Sequence, residues 1–301
     1  LCANKIPKKD GSIVLSHMLN EKGRIQSELT ITRLPNNIFY VLSSTASEIR
    51  DFDWFNHHKK GNVTIKNVTQ DYGVLVLAGP NSRKVLSQLT SQNLHNNDFP
   101  WLKGKEILIN KIPVRALRVN YVGELGWELH HPINQMESLY DAIYEVGKKE
   151  KIINFGTYAV NSLRMEKAYR GWGSELTGEI SLVEAGMDRF FNLKKKNNFI
   201  GAKVVQEKIQ SGVDIKIVYL EVDPDNVDAR GNEPVYHNGK VVGLVTSGGY
   251  GFRTKKSLAF AYVKSDLAEV SNLEIEIQGK KRKAKILDKV VYDPENKKLT
   301  A

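Results

Sequence analysis

Over residues 213–301, apolar residues come in short runs at even intervals, each too brief for a helix with a buried face of its own. Ile215 to Val222, Val235-Tyr236, Val241 to Val245, Leu258 to Val263, Leu273 to Ile277 and Ala284 to Leu287 read as strands. His237-Asn238-Gly239-Lys240 has the chemistry of a tight hairpin turn. Unpaired strand edges are a liability, and a set of this kind removes them by closing into a small β-barrel or jelly roll.

The preceding residues mix both periodicities. Ile13 to Leu19, the stretch with Leu29, Ile31 and Leu34, and Phe39 to Leu42 form a strand meander, with turns at Asn20-Glu21-Lys22-Gly23 and Pro35-Asn36-Asn37. Ser47 is placed to cap a helix to about His58, with Ile49, Phe52 and Phe55 on one face. Val63 to Val68 and Tyr72 to Leu77 read as strands joined by Thr69-Gln70-Asp71, and a helix opens at Gly79-Pro80-Asn81-Ser82 and runs through Leu89. Strands follow at Ile107 to Ile109, Val114 to Val119 and Trp127 to His130, then helices at Met136 to Val146 and Thr157 to Tyr169. Antiparallel pairs among helices argue an α+β fold rather than a doubly wound sheet. A polar connector with a short helix after Gly201 spans about 194–212.

Composition narrows the chemistry. The 301 residues are 41% hydrophobic, with twelve Tyr, ten Phe and four Trp, enough to build a core. Cys2 is the sole cysteine, so an internal disulfide and a multi-cysteine zinc site are excluded, and a reducing compartment is expected. That means the cytoplasm, or the mitochondrial matrix in a eukaryote. No apolar run approaches the ~18 residues of a membrane span. The net charge of +10 fits a solvated lysine-rich surface or attraction to an anionic ligand. The clusters Lys194-Lys195-Lys196 and Lys280-Lys281-Arg282-Lys283 are not interleaved with aromatics, as single-strand binding requires, and no nucleic-acid partner is expected.

P-loop, zincin and nucleophile-elbow motifs are all missing. The pairs His57-His58 and His130-His131 point to opposite sides of their elements, which suits a surface role better than metal ligation. Tyr121-Val122-Gly123-Glu124-Leu125-Gly126-Trp127-Glu128 gathers two carboxylates and two aromatics around two glycines. A carboxylate beside a flat ring can accept paired N–H bonds from a fused nitrogen heterocycle while an aromatic covers its face. An ordinary β-turn with exposed glutamates has the same pattern. Glu28 is one acid among Ile25, Leu29 and Ile31. Burial would poise it beside a developing cation or a transferable proton; otherwise it is a solvated strand residue. Arg164 pairs with a core acid or anchors a ligand. Ser247-Gly248-Gly249-Tyr250-Gly251 lacks the strand-to-helix setting of a phosphate cradle and reads as a hairpin or loop against a neighbouring domain.

Taken in order, six segments resemble the T-protein (aminomethyltransferase) superfamily of folate-dependent one-carbon enzymes. They are Asn20 to Gly23, Ala78-Gly79-Pro80 with Leu89-Thr90, Tyr121 to Glu128, Leu163 to Glu166, Val183 to Gly186, and Val245 to Gly248. Gly171 to Thr177 and Gly248 to Gly251 with Lys256 to Ala259 are most similar to the C-terminal half of dimethylglycine and sarcosine dehydrogenases. The resemblance implies a three-lobed folate-binding α+β fold with a C-terminal barrel. Residues 1–205 would form the folate domain (lobes 1–60 with 155–195, and 61–154) and residues 213–301 the barrel.

The resemblance further implies a tetrahydrofolate site in which Tyr121 stacks on the pterin, Glu128 hydrogen-bonds its edge, and Glu28 is the catalytic acid beside the reacting nitrogens. Ser44, Glu124 and Arg164 complete the expected cofactor-binding set, with no metal. The family has Asp at the position of Glu28, tyrosine at Leu15, asparagine at Ser44 and arginine at Val160, and these departures suit a dehydrogenase-type folate domain. The expected partner is the one-carbon unit of an N-methylated amine, with FAD carried only on a flavin domain or subunit outside this chain, which looks truncated before Leu1. The expected product is 5,10-methylenetetrahydrofolate. A glycine-cleavage aminomethyltransferase and a non-catalytic folate-binding domain are the alternatives.

Overall fold

The computed structural model describes residues 1–195, 198–223 and 226–301, so Lys196 of the first basic cluster lies outside the described residues. The chain divides into two compact units. One holds Leu1–Lys5, Leu15–Leu29 and Thr157–Pro294, and the other Ile6–Val14, Thr30–Gly156 and Glu295–Ala301. The first three strands, β1 (Ile13–Leu19), β2 (Ile25–Arg33) and β3 (Phe39–Leu42), form the expected meander in the order β1-β2-β3. Helix α1 (Glu48–His58) comes next in the chain.

The second unit is built on an antiparallel sheet of β4 (Tyr72–Ala78), β5 (Gly104–Ile109), β6 (Ile112–Leu117) and β7 (Gly126–Pro132), in the order β4-β7-β6-β5. Side chains alternate across a strand. Leu77, Ala116, Trp127 and Leu129 therefore enter one core. Val85 and Leu86 of α2 (Ser82–Leu86) join them there, with Leu139 and Ile143 of α3 (Met136–Gly147). The opposite face carries Val74, Val76, Arg115, Glu128 and His130, fixed by the pairs Val76↔Glu128, Val74↔His130 and Arg115↔His130. In the same unit Arg118 donates to the Phe99, Asn96 and Ala301 oxygens. Burial, with the charge of Arg83 nearby, lowers its guanidinium to about 10.

The first unit contains the closed barrel expected from the tail. Its strands are β8 (Ile215–Val222), β9 (Pro234–His237), β10 (Lys240–Gly251), β11 (Lys256–Lys264), β12 (Leu273–Ile277) and β13 (Lys280–Ile286). They close in the order β10-β11-β8-β13-β12-β9 around Val218, Leu220, Val235, Ala261 and Ile275. At the β9–β10 hairpin Asn238 and Gly239 take φ of 49° and 78°, the left-handed pair that a tight two-residue turn requires.

Several local expectations differ from the structure. Residues 63–68 are not a strand, because only the run after the 3-10 turn Thr69–Asp71 finds a partner, in β7. Ser47 stands at the N-cap of α1 without a capping bond, since its hydroxyl accepts from Arg50, and Ile49 is exposed rather than packed. The helices expected through Leu89 and Tyr169 are both shorter. The first, α2, ends at Leu86; the second, α4 (Thr157–Glu166), stops before Ala168, which adopts φ 52°. Of the hairpin and the loop expected at residues 247–251, the structure has the hairpin: they are the end of β10, paired antiparallel with β11. Their glycines bring backbone close: a Cβ on Gly248 would sit 2.4 Å from the Ala229 oxygen, and one on Gly251 2.7 Å from Glu166 Cγ.

Candidate functional site

The loop between β6 and β7 is shaped by Asn120. Its side-chain oxygen accepts the Val122 and Gly123 N–H groups at 3.0 and 3.1 Å, and its amide donates to the Glu124 carbonyl at 2.8 Å. Gly123 turns with φ 74°. Gly126 admits the chain to the sheet, since a Cβ there would meet the Leu77 oxygen at 2.6 Å. Tyr121 is left 38% exposed on this loop while Leu125 and Trp127 are buried. Glu124 is half-buried.

Glu128 follows on β7. Its side chain is 25% exposed, and among the described residues it meets one partner, His130 Nε2 at 3.4 Å. Residues 128 and 130 share a sheet face by their spacing of two. His130 is buried, and its Nδ1 lies 3.2 Å from the Tyr40 hydroxyl on β3. The Arg115 guanidinium covers the Tyr40 ring at 4.2 Å and is itself held by Glu106 at 2.6 Å. Burial pushes the Tyr40 phenol up against the opposing pull of Arg115, so its proton stays in place as a donor. Beside Glu128, Val76 is 42% exposed and supplies apolar surface. A carboxylate with a spare oxygen, an apolar flank and a half-open tyrosine on the same unit suits a flat ligand with N–H groups on its edge.

The surface role expected for His130-His131 is incorrect: both rings are buried, His131 on the core face with Nδ1 on the Pro132 carbonyl at 2.9 Å. His57 stays exposed on α1. Ser44, half-buried, precedes the short 3-10 turn before α1, and its carbonyl accepts from Ser47 N–H at 2.8 Å.

Glu28 and Arg164 belong to the other unit. Glu28 is 24% exposed and its Oε1 lies 3.3 Å from Nε2 of His17, whose ring is wholly buried. The distance suits an ion pair, but the angle does not make a hydrogen bond, and both His17 nitrogens lack one. Phe190 packs edge-on against that ring at 6.0 Å. Arg164 is committed to the protein, donating to Asn161 at 3.0 Å, the Tyr169 carbonyl at 3.0 Å and Glu175 at 2.9 Å.

Sequence reasoning missed His17 and Tyr40 and read His130 as a surface residue. Alternation from Glu128 along its strand would have found His130, whereas Tyr40 and His17 require strand register. Among the described residues no group of three or more His, Cys, Asp or Glu is arranged to hold a metal.

Comparison with known proteins supplies the lineage. Residues 1–195 match the GCVT N-terminal domain and residues 216–293 the glycine cleavage T-protein C-terminal barrel domain. Dimethylglycine dehydrogenase of Homo sapiens is 43% identical over 305 residues, covering 99% of this chain and 35% of that protein. The chain thus spans about a third of that relative's length. An aminomethyltransferase of Geobacillus sp. (strain WCH70) is 30% identical over 284 residues, covering 94% of this chain and 78% of that one. The crystal structure of the glycine cleavage system aminomethyltransferase T from Bartonella henselae superposes with a TM-score of 0.82 at 24% identity, over 95% of this chain and 77% of that one. That likeness gives the fold. By the match of its first 195 residues, and by its identity to the Geobacillus protein along most of both chains, the chain belongs to the glycine cleavage T-protein (aminomethyltransferase) family.

Proposed function

We propose that this chain is the folate-dependent one-carbon module of a dimethylglycine or sarcosine dehydrogenase-like protein. It takes the iminium or formaldehyde equivalent left by N-methyl oxidation and passes it to tetrahydrofolate, giving 5,10-methylenetetrahydrofolate. The observation that carries this reading is Glu128, partly open and engaged among the described residues by one histidine, beside apolar sheet surface and after the loop bearing Tyr121. Tetrahydrofolate supplies the two nitrogens that receive the carbon. Glu128 accepts the N–H groups of the pterin edge, and Tyr121 covers its face. Glu28 orients the accepting nitrogen and offsets positive charge as the carbon is transferred. Ser44 and Glu124 contribute polar contacts, and we assign Arg164 a supporting part through Glu175.

Two C–N bonds form to the folate nitrogens while the demethylated amine (from the iminium) or water (from formaldehyde) leaves with their two protons; the carbon stays at the formaldehyde level, so this step needs no oxidant. Oxidation of the amine belongs to a flavin domain or subunit outside the chain. The human relative is named as mitochondrial, which favours the matrix for a eukaryotic owner and leaves the cytoplasm for a bacterial one. The division into a folate domain over 1–205, in two lobes, and a barrel over 213–301 is part of the same proposal.

A second reading, glycine-cleavage aminomethyltransferase, is favoured by the match along most of the Geobacillus protein. Ammonia release from an aminomethylated carrier protein distinguishes it. The primary test is calorimetric titration of the full chain with tetrahydrofolate. Binding that weakens by roughly 1–3 kcal/mol in Glu128→Ala supports the site. Folded protein that takes up no folate refutes it. Folate binding without methylene product from formaldehyde would indicate a non-catalytic folate domain.

A further inference from the structure

Within the folate reading, on which this inference rests, Glu128 has a task that a solvated glutamate meets poorly. It must present two oxygens to a planar edge in one orientation, yet its side chain has three rotatable bonds. What restrains it comes from its own sheet face. His130 is two residues on and points the same way, with Nε2 3.4 Å from Glu128 Oε2. Its other nitrogen, Nδ1, lies 3.2 Å from the Tyr40 hydroxyl. The Tyr40 ring meets the His130 ring edge-on at 5.5 Å and the Tyr72 ring at 6.1 Å, while Arg115 caps it and Glu106 holds Arg115. The imidazole is buried, so neither nitrogen can turn to water instead.

We propose that His130, backed by Tyr40, is the positioning residue that fixes the Glu128 carboxylate for the pterin edge. With its proton on Nε2, His130 donates to Glu128 and accepts the Tyr40 O–H on Nδ1. A carboxylate can only accept, so it places the proton on Nε2, and the hydroxyl completes the arrangement by donating to Nδ1. Arg115, the cross-strand partner of His130, keeps a positive charge over the Tyr40 ring. The arrangement is one of strand positions: β7 supplies Glu128 and His130, β6 Arg115, β5 Glu106, β4 Tyr72 and β3 Tyr40.

The test measures the tetrahydrofolate Kd of the full chain at pH 7.5 for wild type, His130→Leu, His130→Gln, Tyr40→Phe and Glu128→Ala, with thermal melts as the folding check. His130→Leu should weaken binding about tenfold at pH 7.5. His130→Gln, which still offers a donor and an acceptor, should stay within about threefold of wild type. Tyr40→Phe should bind more weakly by a few-fold. If His130→Leu does not fold, the affinities of His130→Gln and Tyr40→Phe decide the matter. The proposal is overturned if Glu128→Ala loses binding while His130→Leu binds like wild type, or if His130→Gln binds as weakly as Glu128→Ala. If Glu128→Ala binds like wild type, the folate reading of this carboxylate fails first, and the role of His130 falls with it.

Discussion

The Arg164 guanidinium donates to the Glu175 carboxylate at 2.9 Å, with the two side chains 5% and 0% exposed. Glu175 also accepts the Gly171 N–H at 2.7 Å and the hydroxyls of Thr246 and Ser247 on β10. A buried carboxylate with four donors has its hydrogen-bonding capacity satisfied, and it ties α4 to the barrel. Removing one member strands the other charge away from water. Glu175→Ala should therefore cost about 3–5 kcal/mol in denaturant unfolding. Replacing both members by Leu should cost less than the sum of the single changes, because no unpaired charge remains. A Glu175→Ala protein within about 1 kcal/mol of wild type would contradict this role of the buried pair.

Glu28 is proposed to act on the transferring carbon rather than to hold the ligand. Glu28→Gln should then slow methylenetetrahydrofolate formation in single-turnover experiments by about a hundredfold. The tetrahydrofolate Kd should move by less than about threefold, because the interaction gains strength only as charge develops. Glu28→Asp retains the charge one methylene short of its partner and should fall between the two. Parallel losses in Kd and rate would instead make Glu28 a binding residue.

The barrel was legible because its signals are local: short apolar runs, an Asn-Gly hairpin and regular spacing. Two strands, Ile215–Val222 and Leu273–Ile277, end where the apolar pattern ends. Residues 63–68 misled because their apolar alternation lacks a strand to pair with, and pairing is not a local property. The same distinction divides the site. Tyr121, Glu124 and Glu128 stand within one loop-strand segment and could be read together. The link from His130 to Tyr40 joins residues 90 apart in the chain, and that from His17 to Glu28 depends on which strand positions face each other. Arg164 could be foreseen as half of a pair, but Glu175 could not be singled out among the nearby acids.

Glu184 gives a pH-dependent contribution with a defined sign. Burial raises its carboxyl, but the Lys208 ammonium at 2.8 Å and the Ser181 N–H at 2.6 Å outweigh that effect, and the net shift is downward. A carboxyl lowered on folding stabilises the native state at pH values above its unfolded pKa of about 4.3. That contribution is lost as pH falls through the lower folded value. The unfolding free-energy difference between wild type and Glu184→Gln should thus be constant from pH 7 to about 5 and shrink below about 4. A difference that grows on acidification would reverse the assignment.

Gly248 shows how far the barrel depends on close backbone approach. A Cβ there would lie 2.4 Å from the Ala229 oxygen and 2.8 Å from its carbonyl carbon, and backbone cannot rotate aside as a side chain does. The Gly248 carbonyl also accepts the Asn161 amide of α4 at 3.1 Å, so any shift of β10 loosens that contact. Gly248→Ala should destabilise by about 1–3 kcal/mol, as overpacking does. Gly178→Ala is the control, because the nearest atom to its added Cβ is the Ile25 oxygen at 3.9 Å. That variant should stay within about 0.5 kcal/mol of wild type in denaturant unfolding. Equal losses in the two variants would mean that the cost arises from the glycine backbone alone and not from the approach of residue 229 to β10.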